Sequence, residues 1–182
     1  MNNNIKNEIQ EYKKQFDNSP AEQYVCNRGI SKQIYQQFDF GYKKGSFTPT
    51  GDCLIIPLSD TAYIEKLLKD HEYAPKYKNI NSGIFNYKVL HNSNTPIFVT
   101  EGVFDALSIM EVGGAAISIN STSMVDKFIE YINSNKLTPQ LIVAMDADKS
   151  GKDASRKLCE ILLNMNIPFI TLDHWNGCKD PK

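Results

Sequence analysis

Five carboxylates in the C-terminal half of the chain stand where a metal ion and a phosphate would need them. Glu101 closes the apolar stretch 96–100 in "TPIFVTEGVFDALSIM", and Asp105 follows one helical turn later. Asp146 and Asp148 close a second apolar stretch as an alternating D-x-D, in "QLIVAMDADKSG". Asp180 follows a third, "IPFITL", beyond "DHWNGC". Crowded carboxylates repel, and each then resists ionisation. A divalent cation removes that conflict. Mg²⁺ takes oxygen ligands and keeps several waters, which leaves room for a phosphate. Gly102 and Gly151 stand in the turns into the helices that follow, where a side chain would obstruct a phosphate. The set suits phosphoryl transfer with one or two metals. Taken singly, each acid has a simpler reading. A lone Asp at a strand end more often caps a helix, and Asp148 is placed to cap the one that opens at Ser150. Asp126 and Asp153 read as ordinary first-turn acids.

The elements that must position these acids alternate. "PIFVT", "AAISI", "QLIVAM" and "IPFITL" read as strands. Between them, "GVFDALSIMEVG", "STSMVDKFIEYINSN" and "KSGKDASRKLCEILLNM" read as helices, the first stopped by Gly113 and Gly114, the second capped by Ser121 or Thr122. Such alternation predicts a parallel sheet flanked by helices on both faces. In that architecture ligands lie beyond the carboxyl ends of the strands, where Glu101, Asp146 and Asp148 fall. No G-x-G-x-x-G follows a strand, which disfavours a dinucleotide site.

The N-terminal half is different. Ile5, Ile9, Tyr12 and Phe16 recur at helical spacing and predict a helix over 4–16. Ser19 caps a second helix with Pro20 in its first position and Gly29 as its stop, and Ser31 opens a third. Residues 53–58 predict a strand. "TAYIEKLLKD" reads as strand or helix, with strand favoured at its start, and "HEYAPKYKNINSG" reads as a loop. The boundary is expected near 91–95. That gives a smaller mixed α+β subdomain over 1–94 and the parallel-sheet domain over 95–182.

With 182 residues and a net charge of −1, any nucleic-acid site must be a local basic patch. No apolar run approaches the roughly 18 residues of a membrane span. The opening "MNNNIKNEIQEYKKQF" has no signal-peptide core. The four cysteines include no CxxC pair, which argues against a zinc ribbon within the chain. Scattered thiols fit a reducing cytosol. Cys26 and Cys53 read as small core residues.

"VTEGVFDAL" and "VAMDADKSGKDAS" resemble the two signature motifs of the TOPRIM domain, shared by bacterial primases, topoisomerases, recombination-repair proteins and some nucleases. The resemblance covers roughly residues 95–182 and implies a Rossmann-like parallel sheet. It implies that Glu101 acts as general acid/base or in metal binding, that Asp105 is the second acid of the first motif, and that Asp146 and Asp148 bind Mg²⁺ or Mn²⁺. Asp180 would be a further ligand. "YVCNRGISKQIYQQFDFGY" is similar to the segment that precedes TOPRIM in DnaG-type primases, including those of phages and mobile elements. "CLIIPLSD", "PKYKN" and "IFNYKVL" match the segments that follow it. On this resemblance Arg28, Lys76, Lys78, Asn79 and Lys152 contact nucleic acid or nucleotide. Lysine neutralises phosphate, and Tyr73 and Tyr77 offer stacking surfaces. Without the resemblance, Lys76 and Lys78 read as solvated loop residues.

The family continues past "KDP" with another acid where this chain has Lys182, so the chain reads as cut within a motif. The family's zinc ribbon and the helical segment after TOPRIM are also missing from the pattern. The resemblance implies a primase-like RNA polymerase core that joins nucleoside triphosphates on single-stranded DNA. A replicative helicase or further domains would be partners, in the cytoplasm, with no membrane role. A TOPRIM nuclease and a non-catalytic DNA-binding or docking module are the alternatives.

Overall fold

A computed structural model describes residues 2–45, 51–70, 72–92 and 94–172. The contacts divide the chain into two compact units, 1–83 and 84–182.

The first unit is a four-stranded antiparallel sheet with three helices. The helices are α1 (Asn2–Lys14), α2 (Pro20–Asn27) and the short α3 (Lys32–Tyr35). The strands β1 (Gly41–Lys43), β2 (Cys53–Ser59), β3 (Ala62–Leu67) and β4 (Tyr77–Ile80) lie in that order. Helix α1 lays Ile9 against Cys53, Ile55, Tyr63 and Leu67, the inward positions of β2 and β3. Pro57 is tolerated in β2 because β1 pairs only as far as Ile55, and the register with β3 shifts just beyond it. Cys53 is buried as expected of a small core residue, whereas Cys26 is exposed.

The cap that begins α2 is a capping box. The Ser19 hydroxyl accepts the N–H groups of Ala21 and Glu22, each at 3.2 Å. Glu22 reaches back to the Asn18 N–H at 2.6 Å and accepts the Tyr35 hydroxyl at 2.5 Å. Ser19→Ala is expected to cost about 1 kcal/mol, read from the denaturation midpoint. The Tyr35 hydroxyl, then the Asn18 N–H, hold the Glu22 carboxyl below its ordinary range. Its contribution is therefore complete above that ordinary range and is lost as pH falls through the lowered value, so Glu22→Gln should flatten the acid limb of a stability profile.

Two expectations change here. The stretch 71–83 is not all loop: Tyr77–Ile80 pairs with Tyr63–Lys66 as an edge strand. Its side chains are mostly exposed, so no apolar alternation marked it. The contact boundary falls after Gly83, ahead of the expected 91–95. Ile84, Phe85 and Leu90 are buried with the second unit, and Phe85 exchanges backbone hydrogen bonds with Ser118 at 2.8 and 3.3 Å.

The second unit is the predicted parallel sheet. Its strands β5 (Ile97–Thr100), β6 (Ala115–Ser118), β7 (Leu141–Val143) and β8 (Phe169–Thr171) are ordered β6-β5-β7-β8, all parallel. After a four-residue helix, α4 (Val89–Asn92), the crossovers are α5 (Val103–Glu111), α6 (Val125–Ser134) and α7 (Lys149–Asn164). The chain runs from β5 outward to β6, then back across to β7 and β8. Right-handed crossovers in opposite directions put α5 on one face and α6 and α7 on the other. Phe128 and Ile132 of α6 and Leu158 and Leu162 of α7 accordingly share one core with Val99, Ile117 and Val143.

Among the described residues no helix is long and apolar enough to cross a membrane.

Candidate active site and basic cleft

The strand order reverses between β5 and β7, because β5 is followed outward to one side and β7 to the other. That crevice is the ligand position of an open parallel sheet. Glu101 and Asp146 lie just past the carboxyl ends of those two strands. Glu101 is half-buried, and its Oε2 is shut off from solvent.

Buried hydroxyls fix the backbone that carries Glu101. Thr100 is fully buried, and its Oγ1 has the carbonyls of Gly102 and Ile117 each at 3.0 Å. Ser118, also fully buried, donates to the Glu101 carbonyl at 2.8 Å and accepts the Asn120 N–H at 3.1 Å. Asn120 adopts a left-handed φ of 64° that lets the chain turn back there. Neither hydroxyl stands out in the sequence as part of a site. The available signal was a polar residue at the last position of each of two apolar strands.

Asp105 occupies the third position of α5, where an acid can reach back to the helix start. A methyl group at Gly102 would overlap its carboxylate, so the glycine makes room for the acid. Asp148 is the N-cap of α7 and its Oδ1 accepts the Gly151 N–H at 3.0 Å, as the simpler reading of this residue expects. Asp146 shares a cavity of about 510 Å³ with Lys152, Ser155 and Arg156, so two of the expected site residues, Asp146 and Lys152, are brought together. Asp180 lies outside the described residues.

Among the described residues no group of three or more His, Cys, Asp or Glu side chains is close enough to hold a metal ion. The expectation that four or five carboxylates gather along one edge of the sheet includes Asp180, which lies outside the described residues. Asp105 is buried within the first turn of α5, and Asp148 gives an oxygen to the cap of α7. The donor chemistry still fits Mg²⁺, which commonly binds through only one or two carboxylates together with waters and substrate phosphates.

Gly151 holds the Asp146 turn closed. A methyl group there would overlap the Asp146 carbonyl oxygen. Gly151→Ala must displace Asp146, and it is expected to lower both the melting temperature and any acid-dependent activity, the latter by about tenfold or more. Parallel melting and turnover measurements check this.

The first unit holds a separate basic cleft of about 500 Å³, lined by Arg28, Lys66, Lys69 and Lys76 with Tyr24, Tyr77 and one carboxylate, Asp70. Lys66 is 4% exposed. Its Nζ lies 5.3 Å from the Tyr24 ring centre and 5.2 Å from that of Tyr77, a double cation–π contact. Burial pushes the Lys66 ammonium below the usual lysine range. Asp70 opposes that shift, and Lys76 and Arg28 add to it. Arg28 ends α2 and sets its guanidinium 3.4 Å from the Tyr24 hydroxyl, while Lys76 pairs with Asp70 at 2.7 Å.

Of the expected nucleic-acid residues, Arg28 and Lys76 thus line the cleft, and Tyr77 with them. Lys78 does not. It stands opposite Glu65 in register, on the face away from Lys66 and Tyr77, because side chains alternate along β4. Asn79 stands opposite Ile64, and Tyr73 is 85% exposed; neither is among the residues lining the cleft. Lys66 itself was missed. Its signal was a lysine two residues from Ile64, on the face of β3 that otherwise carries Ala62 and Ile64.

Residues 98–182 match the family model described as Toprim-like. The chain is 26% identical over 173 residues to a DNA primase of Mycoplasma genitalium, covering 86% of this chain and 27% of the primase. It therefore spans about a quarter of that relative's length. Among solved structures it resembles the zinc-binding and RNA polymerase domains of Aquifex aeolicus primase, with a TM-score of 0.72, 17% identity, and coverage of 97% of this chain and 55% of that one. A DnaG primase catalytic domain bound to single-stranded DNA superposes with a TM-score of 0.70 at 15% identity, over 97% of this chain and 71% of the other. At these identities the structural likeness carries the fold. Residues 98–182 thus resemble a Toprim-like domain, in a chain that shares its fold with the catalytic cores of DnaG-type primases.

Proposed function

We propose that this chain is a primase-type nucleotidyl transferase core, which joins nucleoside triphosphates on a single-stranded DNA template in a reaction that depends on Mg²⁺ or Mn²⁺. The observation that carries the reading is the placement of Glu101 and Asp146 at the carboxyl ends of the two strands that flank the reversal of strand order.

Glu101 and Asp146 would hold the cation, joined by Asp148, whose Oδ1 is given to the helix cap. When bound, it supplies positive charge to the transferring phosphate. The chain's own residues do the rest. Thr100 and Ser118 lock the turn that carries Glu101. Gly102 makes room for the Asp105 carboxylate at the start of α5, and Lys152 adds a cation beside Asp146. A terminal hydroxyl attacks the α-phosphorus of a nucleoside triphosphate, pyrophosphate leaves, and the Glu101 carboxylate takes the hydroxyl proton. In the first unit, Lys66, Arg28 and Lys76 would hold phosphates of nucleotide or template. A replicative helicase, or further domains, would deliver the template. Asp180 belongs to the proposed ligand set as the acid after the last strand.

The test is a gel assay with single-stranded DNA, labelled nucleoside triphosphates and Mg²⁺ or Mn²⁺. New labelled oligonucleotides are expected. Shortened DNA instead would make the chain a Toprim-like nuclease. Neither product, with salt-sensitive DNA binding retained, would make it a docking module.

A further inference from the structure

The basic cleft has a neighbour that phosphate binding leaves unused. Tyr24, Leu68, Lys69 and Asp70 line both the cleft and a wider cavity of about 650 Å³, which continues along α2 past Gln23 and Asn27 to Asp52. The chemistry changes along this path. At the cleft end, Arg28, Lys66 and Lys76 attract anions. At the far end the polar groups are amides and the Asp52 carboxylate, which is already engaged by the Tyr42 hydroxyl at 2.5 Å and the Gly45 N–H at 3.1 Å and offsets the nearby charges of Lys44 and Lys69. A phosphate therefore prefers the cleft, and the far end suits a neutral polar group.

Gln23 and Asn27 are one helical turn apart and share a face of α2. The Gln23 amide donates to the Asn27 side-chain oxygen at 2.8 Å. Each amide keeps its other atom for a ligand: the Gln23 oxygen accepts and the Asn27 nitrogen donates. Exchanging oxygen and nitrogen in both side chains still leaves one donor beside one acceptor. Every nucleobase carries a donor next to an acceptor along its edge, and every base has a flat face that stacks on an aromatic ring. Tyr24 stands where the two cavities meet.

We propose that the wider cavity is a nucleobase subsite: a nucleoside phosphate binds with its phosphate at Lys66, Arg28 and Lys76, its base along Tyr24, and the base edge against Gln23 and Asn27. The inference rests on the reading of the cleft as a phosphate site. Because the amide pair offers one donor and one acceptor, it accommodates all four bases, as copying an arbitrary template requires.

Equilibrium titrations of the full chain with ATP, tripolyphosphate, a short oligodeoxynucleotide and its abasic counterpart test this. The variants are Gln23→Ala, Asn27→Ala and Lys66→Met. Gln23 and Asn27 are exposed, so their loss leaves the fold intact. The wild-type chain is expected to bind ATP more tightly than tripolyphosphate. Each amide variant should remove about tenfold of that advantage and leave tripolyphosphate unchanged. A loss with ATP marks a free nucleotide as the ligand, and a loss with the oligonucleotide but not its abasic form marks a strand unit. If the amide variants change neither comparison while Lys66→Met weakens all four ligands, the base subsite is wrong and the phosphate site stands. If Lys66→Met weakens none, both fall together.

Discussion

Glu101→Gln is expected to lower nucleotide joining by at least about 100-fold, with little change in metal-free thermal stability. The amide keeps the size of the side chain and one oxygen but loses the charge that would hold a cation and the basicity that would take a proton. The turn is held through the Glu101 main-chain carbonyl, which accepts from Ser118, and through Thr100 and the Gly102 carbonyl. One carboxylate oxygen is shut off from solvent, so neutralising the group relieves a desolvation cost. Asp146→Asn should behave alike. Turnover measured beside melting temperature checks both, and an active Glu101→Gln protein would remove this residue from the mechanism.

Lys66→Met is the second large effect. The expected loss of affinity for polyphosphate is on the order of 100-fold, the scale for removing one member of a buried charge pair. The protein is expected to remain folded, because Met keeps the volume without a buried charge. The pH dependence has a defined sign. The protonated ammonium binds phosphate, and its pKa is lowered chiefly by burial. Affinity should therefore decline as pH rises through that lowered value, before an ordinary lysine would discharge. Stability of the free chain moves oppositely. The unfolded state holds the Lys66 proton more tightly, so rising pH through the same window favours the fold. Lys66→Met should abolish both trends, and titrations across alkaline pH would show it.

The order of strands and helices after residue 95 was legible because each strand is a short apolar run and the runs between them carry apolar residues at helical spacing, two of them opened by a side-chain cap at Ser121 and Asp148. Glu101 and Asp146 were legible for the same reason: a polar residue after an apolar strand marks its end, and topology supplies the crevice. Edge strands were not legible. Tyr77–Ile80 is mostly exposed, and its pairing partner lies across a polar nine-residue connection, 68–76. Faces were not legible either. Lys76 and Lys78 look equivalent in "PKYKN", yet one lines the cleft and the other lies over Glu65, because a strand alternates. Asp148 shows a related limit. A strand-end acid can serve a helix cap or a cation, and only the 3.0 Å contact with Gly151 shows the cap in use.

As proposed, the acids at the strand reversal, Glu101 and Asp146, would hold a divalent cation. The most direct measurement is Mn²⁺ binding followed by electron paramagnetic resonance, comparing the wild-type chain with Asp146→Asn. The wild-type chain is expected to deplete the free Mn²⁺ signal, and Asp146→Asn to restore most of it. An Asp146→Asn protein that binds Mn²⁺ as tightly as the wild type would contradict the assignment.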